Sequence, residues 1–325
     1  MGLLAKAKLA QQQVPLTASP QQSSALLVEA APGQPHLAPP QSAQRSIDAS
    51  HISEKLRSIV HENQLQPWWA GARLDDLCQR LATVDFDRLA AEWRISRQVV
   101  CDLVSLALFD VVFFVDDSGS MVFEENGSRL DDLKFILAKT ASVSTFFDED
   151  GIQVRFMNGD LIGEGLRTEA QVESLVARAR FAGMTPLGTQ FKAKVVDPLV
   201  LGPAITGRLN KPVLAVIVTD GEPTREAPDA LQAAIVDAQN TLLKTQYGPG
   251  ALSVQIGQVG NDEAAQRFLS RLDQDPSVGG MIDCTSNYEM ESEEMLRRGA
   301  ELSPEMWLLK LCLGAIDREY DKTDS

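Results

Sequence analysis

Val111-Val112-Phe113-Phe114-Val115-Asp116-Asp117-Ser118-Gly119-Ser120 is the stretch on which the fold turns. Its first half is apolar at every position, β-branched or aromatic, and predicts a short strand covered on both faces. Its second half is acids, hydroxyls and glycine, the composition of a turn. Residues 152–157, 213–219, 252–259 and 281–284 form further short, β-branched or apolar runs. Between the runs, apolar residues recur at helical spacing, as in Leu130, Leu133, Ile136 and Leu137, or Ala265, Phe268, Leu269 and Leu272. Strand–helix alternation with strands apolar throughout predicts an α/β, Rossmann-like domain: a mostly parallel central sheet flanked by helices. Ligands of such sheets sit outside the carboxyl ends of the strands. Asp116 and Asp220 both stand at such ends.

Outward from this stretch the chain divides into four parts. Residues 1–45 are rich in Ala, Gln, Pro and Ser and nearly free of acids, so they read as a disordered low-complexity tail. Residues 46–108 carry helical stripes and form a helical annex. Ile52, Leu56, Ile59 and Val60 lie behind a Ser53 cap; Leu74, Leu77 and Leu81, then Phe86, Leu89 and Trp93, follow. Trp68 and Trp69 read as core or lid aromatics. Residues 109–290 make the α/β domain. Residues 291–325 hold a last helix with Trp307, Leu308 and Leu311, then a charged tail. The acidic run 289–294 reads as exposed, as does Asp117.

The bulk numbers set limits. A net charge of −15 over 325 residues opposes attraction to a phosphate backbone, so no nucleic acid is expected as partner. No run reaches the ~18 apolar residues of a membrane span. The start, Met1-Gly2-Leu3-Leu4-Ala5-Lys6, lacks the apolar core of a secretory signal. The 4 cysteines show no paired spacing. A cytoplasmic protein is the expectation.

Chemistry concentrates at the strand ends. Ser118 and Ser120 offer hydroxyls at alternate positions, with Gly119 between them permitting a tight turn. Asp116 offers a carboxylate, Thr185 a third hydroxyl and Asp220 a second carboxylate. An oxygen-only set suits a hard cation, Mg²⁺ with Mn²⁺ or Ca²⁺ as substitutes, rather than zinc or copper. Asp-Ser clusters after strands also make turns and caps with no metal, though turn chemistry alone does not explain Thr185 and Asp220. Glu222, after the Asp220-Gly221 turn, is a further candidate. Glu124, Glu125, Asp131 and Asp132 read as an acidic loop and helix start rather than a second cation site.

Asp116-x-Ser118-x-Ser120, Thr185 and Asp220 resemble, in order, the metal-ion-dependent adhesion site of von Willebrand factor A (vWA) domains. Thr185-Pro186-Leu187-Gly188-Thr189, Gln258-Val259-Gly260-Asn261-Asp262 and Trp307-Leu308-Leu309-Lys310 are also similar to a fungal group of intracellular vWA proteins. The resemblance covers roughly residues 109–290 and implies a vWA fold with metal-dependent protein binding. A protein partner presenting Asp or Glu would complete the Mg²⁺ coordination.

Enzymatic readings fare worse. Asp117-Ser118-Gly119 matches the aspartic protease turn, but no second copy is present. The 3 histidines, His36, His51 and His61, all precede the α/β stretch, so Ser118 and Ser120 have no evident base. No Gly-x-x-x-x-Gly-Lys-Ser/Thr loop is present. The alternative that remains is a Mg²⁺-dependent phosphohydrolase, which lacks basic residues to hold a phosphate.

Overall fold

A computed structural model describes residues 41–321, apart from 124, 148, 149 and 280. Its centre is a sheet of β1 (Asp110–Val115), β2 (Ile152–Phe156), β3 (Ile162–Leu166), β4 (Val213–Thr219), β5 (Leu252–Gln258) and β6 (Ile282–Thr285). The spatial order is β3-β2-β1-β4-β5-β6, with every pairing parallel except β2 with β3. The α/β class is as expected. β4 is buried at every residue, which is why its sequence carries no alternation. β5 is buried just as fully but is not apolar throughout: Ser253, Gln255 and Gln258 lie among its apolar residues, and Gln255 is satisfied by donating to Asp283 Oδ2 at 2.6 Å and accepting the Ala315 N–H at 2.8 Å. Order reverses at β1 and β4, paired from Asp110↔Val213 to Val115↔Val218, so the chain leaves their carboxyl ends in opposite directions. That divergence opens the crevice in which doubly wound sheets hold ligands.

β3 is a strand the apolar-run criterion misses. Ile162-Gly163-Glu164-Gly165-Leu166 has two glycines and pairs antiparallel at the sheet edge. Gly163 is there for space, since a Cβ would stand 2.6 Å from Leu175 Cδ2.

Helices cover both faces. The annex contributes α1 (Gln41–Glu62), α2 (Ala72–Leu81) and α3 (Phe86–Trp93). Asp85 caps α3 by accepting the Arg88 N–H at 3.0 Å. Ser53 is no cap: it sits inside α1 and accepts from Arg57 Nε at 3.2 Å. Because α1 begins at Gln41, part of the proposed tail is helical, and residues 1–40 lie outside the described residues. The 3₁₀ segment Cys101–Leu108 joins the annex to β1 and is buried throughout.

On one face of the sheet lie α4 (Ser128–Phe147) and, after α5 (Glu169–Arg178), α6 (Leu187–Phe191), α7 (Ala230–Leu242), α8 (Glu263–Asp273) and α9 (Tyr288–Arg297), the last long helix α10 (Pro304–Leu313). Helix α4 meets α10 where Thr140 Oγ1 approaches Cys312 Sγ at 3.5 Å, and Leu311 fills the space that a Cβ at Gly257 would take. On the other face α6 runs into the wider π turns of Lys192–Leu201 and packs against β1, with the Phe114 and Phe191 rings 5.6 Å apart. This helix too escapes sequence patterning, because Gly188, Pro198 and Gly202 interrupt it.

The annex shares the domain's core. Ile52, Leu56, Leu89, Trp93 and Leu103 are buried in one continuous cluster with Phe113 and Val216. Trp68 and Trp69 are core residues, their indole N–H groups donating to Leu209 O and Leu108 O, each at 2.9 Å. The chain's end locks onto the annex. Tyr320, fully buried, donates its hydroxyl to Asp102 Oδ2 at 2.7 Å, and Lys55 lies 2.6 Å from Asp317 and 3.1 Å from Glu319.

The acidic run 289–294 is not an exposed face throughout. It lies on α9, and Glu291 turns inward with both oxygens 3.0 Å from Lys310 Nζ, which is 0% exposed.

Candidate metal centre

β1 and β4 deliver Asp116 and Asp220 side by side, 0% and 1% exposed. The Asp116 carboxylate is fixed from two sides. Oδ1 accepts the Ser118 backbone N–H at 2.8 Å, and Oδ2 accepts the Thr219 hydroxyl at 2.7 Å. Ser118 Oγ and Ser120 Oγ lie 3.0 Å apart, and Ser120 donates to Asp220 Oδ1 at 3.0 Å. Asp220 Oδ2 accepts from Arg129 Nη1 at 2.6 Å. Four of the five expected residues therefore form one hydrogen-bonded cluster. Thr185, 6% exposed, is instead tied by its backbone to the loop that follows Asp220: its N–H donates to Thr224 Oγ1 and its C=O accepts the Thr224 N–H, both at 2.9 Å.

Asp117, expected in solvent, is buried, and the reason is its hydrogen bonds. Its carboxylate takes the Asn158 N–H at 2.6 Å, Asn158 Nδ2 at 3.0 Å and the Gly159 N–H at 2.8 Å. Its carbonyl takes the Ala182 N–H at 2.7 Å. Asn158 also donates to Met184 O at 3.0 Å, so Asp117 ties the loops after β1 and β2 to the one presenting Thr185. Glu226 holds that loop from the far side, accepting the N–H groups of Gly188 and Thr189 at 2.9 Å. Glu222 is exposed. Of the proposed acidic loop, Glu124 lies outside the described residues, and Glu125 is bound to Arg129 through Nε at 3.0 Å and Nη2 at 2.7 Å. Thr219, Asn158, Thr224, Glu226 and Arg129 are the contributors that sequence motifs do not announce.

Thr185 depends on a close backbone approach. A Cβ at Gly188 would stand 2.2 Å from Leu231 N and 2.3 Å from Ala230 C. Main chain cannot step aside as a side-chain tip can. Gly188→Ala is expected to cost about 3 kcal/mol in urea unfolding, as overpacking does; a change within about 0.5 kcal/mol would show that α6 and α7 separate easily.

The electrostatics favour a cation here. Burial, with the like charge of Asp220 beside it, lifts the Asp116 carboxyl from its ordinary 3.8 to about 6, against the downward pull of the Thr219 and Ser118 hydrogen bonds. Among the described residues no ion pair reaches Asp116, whereas Asp220 has Arg129. No three His, Cys, Asp or Glu side chains gather at ligand distance among the described residues. The donor set is instead hydroxyls plus carboxylates, the chemistry of hard cations. The residues fit such an ion: Ser120 points its proton at Asp220, so oxygen lone pairs would remain to coordinate, and Asp116 would gain a counter-charge. Because the folded pKa of Asp116 is raised, its stabilising protonation is complete below the ordinary value and lost as pH rises through about 6. In EDTA, Asp116→Asn should therefore melt higher than wild type at about pH 7.5, and the gap should narrow below about pH 6 and close toward the ordinary 3.8. Mg²⁺ affinity should fall over the same window; a gap independent of pH would refute the shift.

No family model matches the chain, and no curated protein matches it in sequence. Among solved structures it is similar to proximal thread matrix protein 1 from the mussel byssus, at 17% identity and a TM-score of 0.39. The match covers 58% of this chain and spans about half of the other, 46%. No helix among the described residues is long and apolar enough to cross a membrane.

Proposed function

We propose that the chain is an intracellular vWA-type binding module. Ser118, Ser120 and Thr185 supply hydroxyls and Asp116 and Asp220 carboxylates for Mg²⁺, and an Asp or Glu of a protein partner completes the coordination. The bound ion would supply a concentrated positive charge at a poorly hydrated mouth, where one carboxylate contact can decide affinity. One observation carries this reading: two buried carboxylates and two serine hydroxyls are linked by hydrogen bonds at the β1/β4 crevice. The loops around it are braced by Asp117, Thr224 and Glu226, so the donors are held before any ligand arrives. A phosphohydrolase would need a cation free to grip phosphate, and the guanidinium at this site faces Asp220 and Glu125.

Affinity capture with the full chain tests the proposal. Proteins retained in Mg²⁺ should be released by EDTA, and no metal-dependent phosphoester turnover should accompany binding. The same proteins captured in both buffers would refute it.

A further inference from the structure

Arg129 is the feature of the crevice that the metal reading does not explain. It is 2% exposed, yet it stands within the carboxylate cluster rather than at its rim. Nη1 donates to Asp220 Oδ2 at 2.6 Å, while Nε and Nη2 grip Glu125 Oε1 at 3.0 and 2.7 Å. Glu125 is itself held by the Asn261 N–H at 3.0 Å. The loop after β5 is shaped around the guanidinium: Gly260 has φ +72°, and a Cβ there would stand 2.3 Å from Arg129 Nε. Three loops thus cooperate to keep a permanent positive charge next to one of the two site carboxylates.

We infer that Arg129 is a positioning residue that limits how far the site's own carboxylates neutralise a bound divalent cation, leaving the ion in need of an outside carboxylate. The inference rests on the metal-binding reading above. Asp116 and Asp220 together could cancel a divalent charge. With Arg129 on Asp220, one of the two is largely compensated already, and the ion keeps net positive charge. Glu125 offsets Arg129 less than Asp220 does, because its side chain is 26% exposed and water screens it. The arrangement trades intrinsic metal affinity for attraction to an acidic partner. It also holds Asp220 by Oδ2 so that Oδ1 faces Ser120.

Mn²⁺ titration of the full chain, followed by electron paramagnetic resonance, separates this role from a merely structural one. Arg129→Gln should bind Mn²⁺ at least about fivefold more tightly than wild type. Acetate should then add more weakly to the Mn²⁺-loaded variant. Arg129→Lys, which keeps the charge, should restore wild-type affinity. Glu125→Gln should weaken Mn²⁺, because it removes an acid that offsets the guanidinium. If Arg129→Gln fails to fold, the Glu125→Gln result decides. Equal or weaker Mn²⁺ binding by Arg129→Gln, or unchanged or tighter binding by Glu125→Gln, overturns the inference while leaving the metal site standing. Absence of Mn²⁺ binding in wild type and all variants overturns the metal reading and this inference with it.

Discussion

Glu291→Ala is expected to lose about 3 kcal/mol of unfolding free energy, although it removes a residue from what looks like an acidic surface run. Lys310 Nζ is 0% exposed and has both Glu291 oxygens at 3.0 Å. Withdrawing them strips an ion-pair partner from an ammonium that water does not reach, and desolvation of a charge is costly. The pair also pins α9 to α10. Glu291 Oε1 takes the Ser286 N–H at 3.2 Å, and the Trp307 indole donates to Ser286 O at 2.9 Å, so the loop between β6 and α9 is held from both sides. Urea unfolding checks this. The double variant Glu291→Leu with Lys310→Met should recover most of the loss, since an apolar pair carries no desolvation cost. A single variant within about 0.5 kcal/mol of wild type would mean that Lys310 reaches water in solution.

Glu291 also illustrates what a sequence withholds. Glu289, Glu293 and Glu294 on the same run share its charge, and only the partner 19 residues later shows why Glu291 turns inward. β4, and β1 after Asp110, are legible because burial on both faces imposes apolar residues along the strand, whereas β5 buries Ser253, Gln255 and Gln258 among its apolar residues. β3 is not legible, because an edge strand with one open face and two glycines meets neither the apolar-run nor the alternation criterion. Asp116 and Asp220 are legible as acids ending such strands, and their adjacency follows from the parallel pairing of β1 with β4. Arg129 is different. At the start of α4 it reads as an ordinary solvated helix residue, and its acceptor Asp220 is 91 positions away. The misreading of Asp117 has the same origin: an acid in a Ser-Gly turn is assigned to water unless the N–H groups of Asn158 and Gly159 are known to converge on it. Residues whose role comes from tertiary hydrogen bonds leave no local pattern.

The largest functional effect is expected at Asp116. Replacing it with Asn keeps an acceptor for the Ser118 N–H and turns an amide N–H toward the Thr219 hydroxyl, which has Gly221 O at 3.3 Å as another acceptor, but deletes the one site carboxylate that no cation compensates among the described residues. A divalent ion would then face Asp220 alone, and Asp220 is already bound to Arg129 at 2.6 Å. Coulomb attraction lost in a partly dehydrated crevice amounts to several kcal/mol, on the order of a thousandfold in affinity. The fold should not suffer, since burying that carboxylate uncharged is easier than burying it ionised. The measurement that tests the metal reading most directly is therefore Mn²⁺ binding to the full chain, wild type beside Asp116→Asn, with thermal melting in EDTA to show that both are folded. The prediction is a single saturable Mn²⁺ site in wild type that vanishes in Asp116→Asn. Equal Mn²⁺ binding by the two folded proteins, or none by wild type, would contradict it.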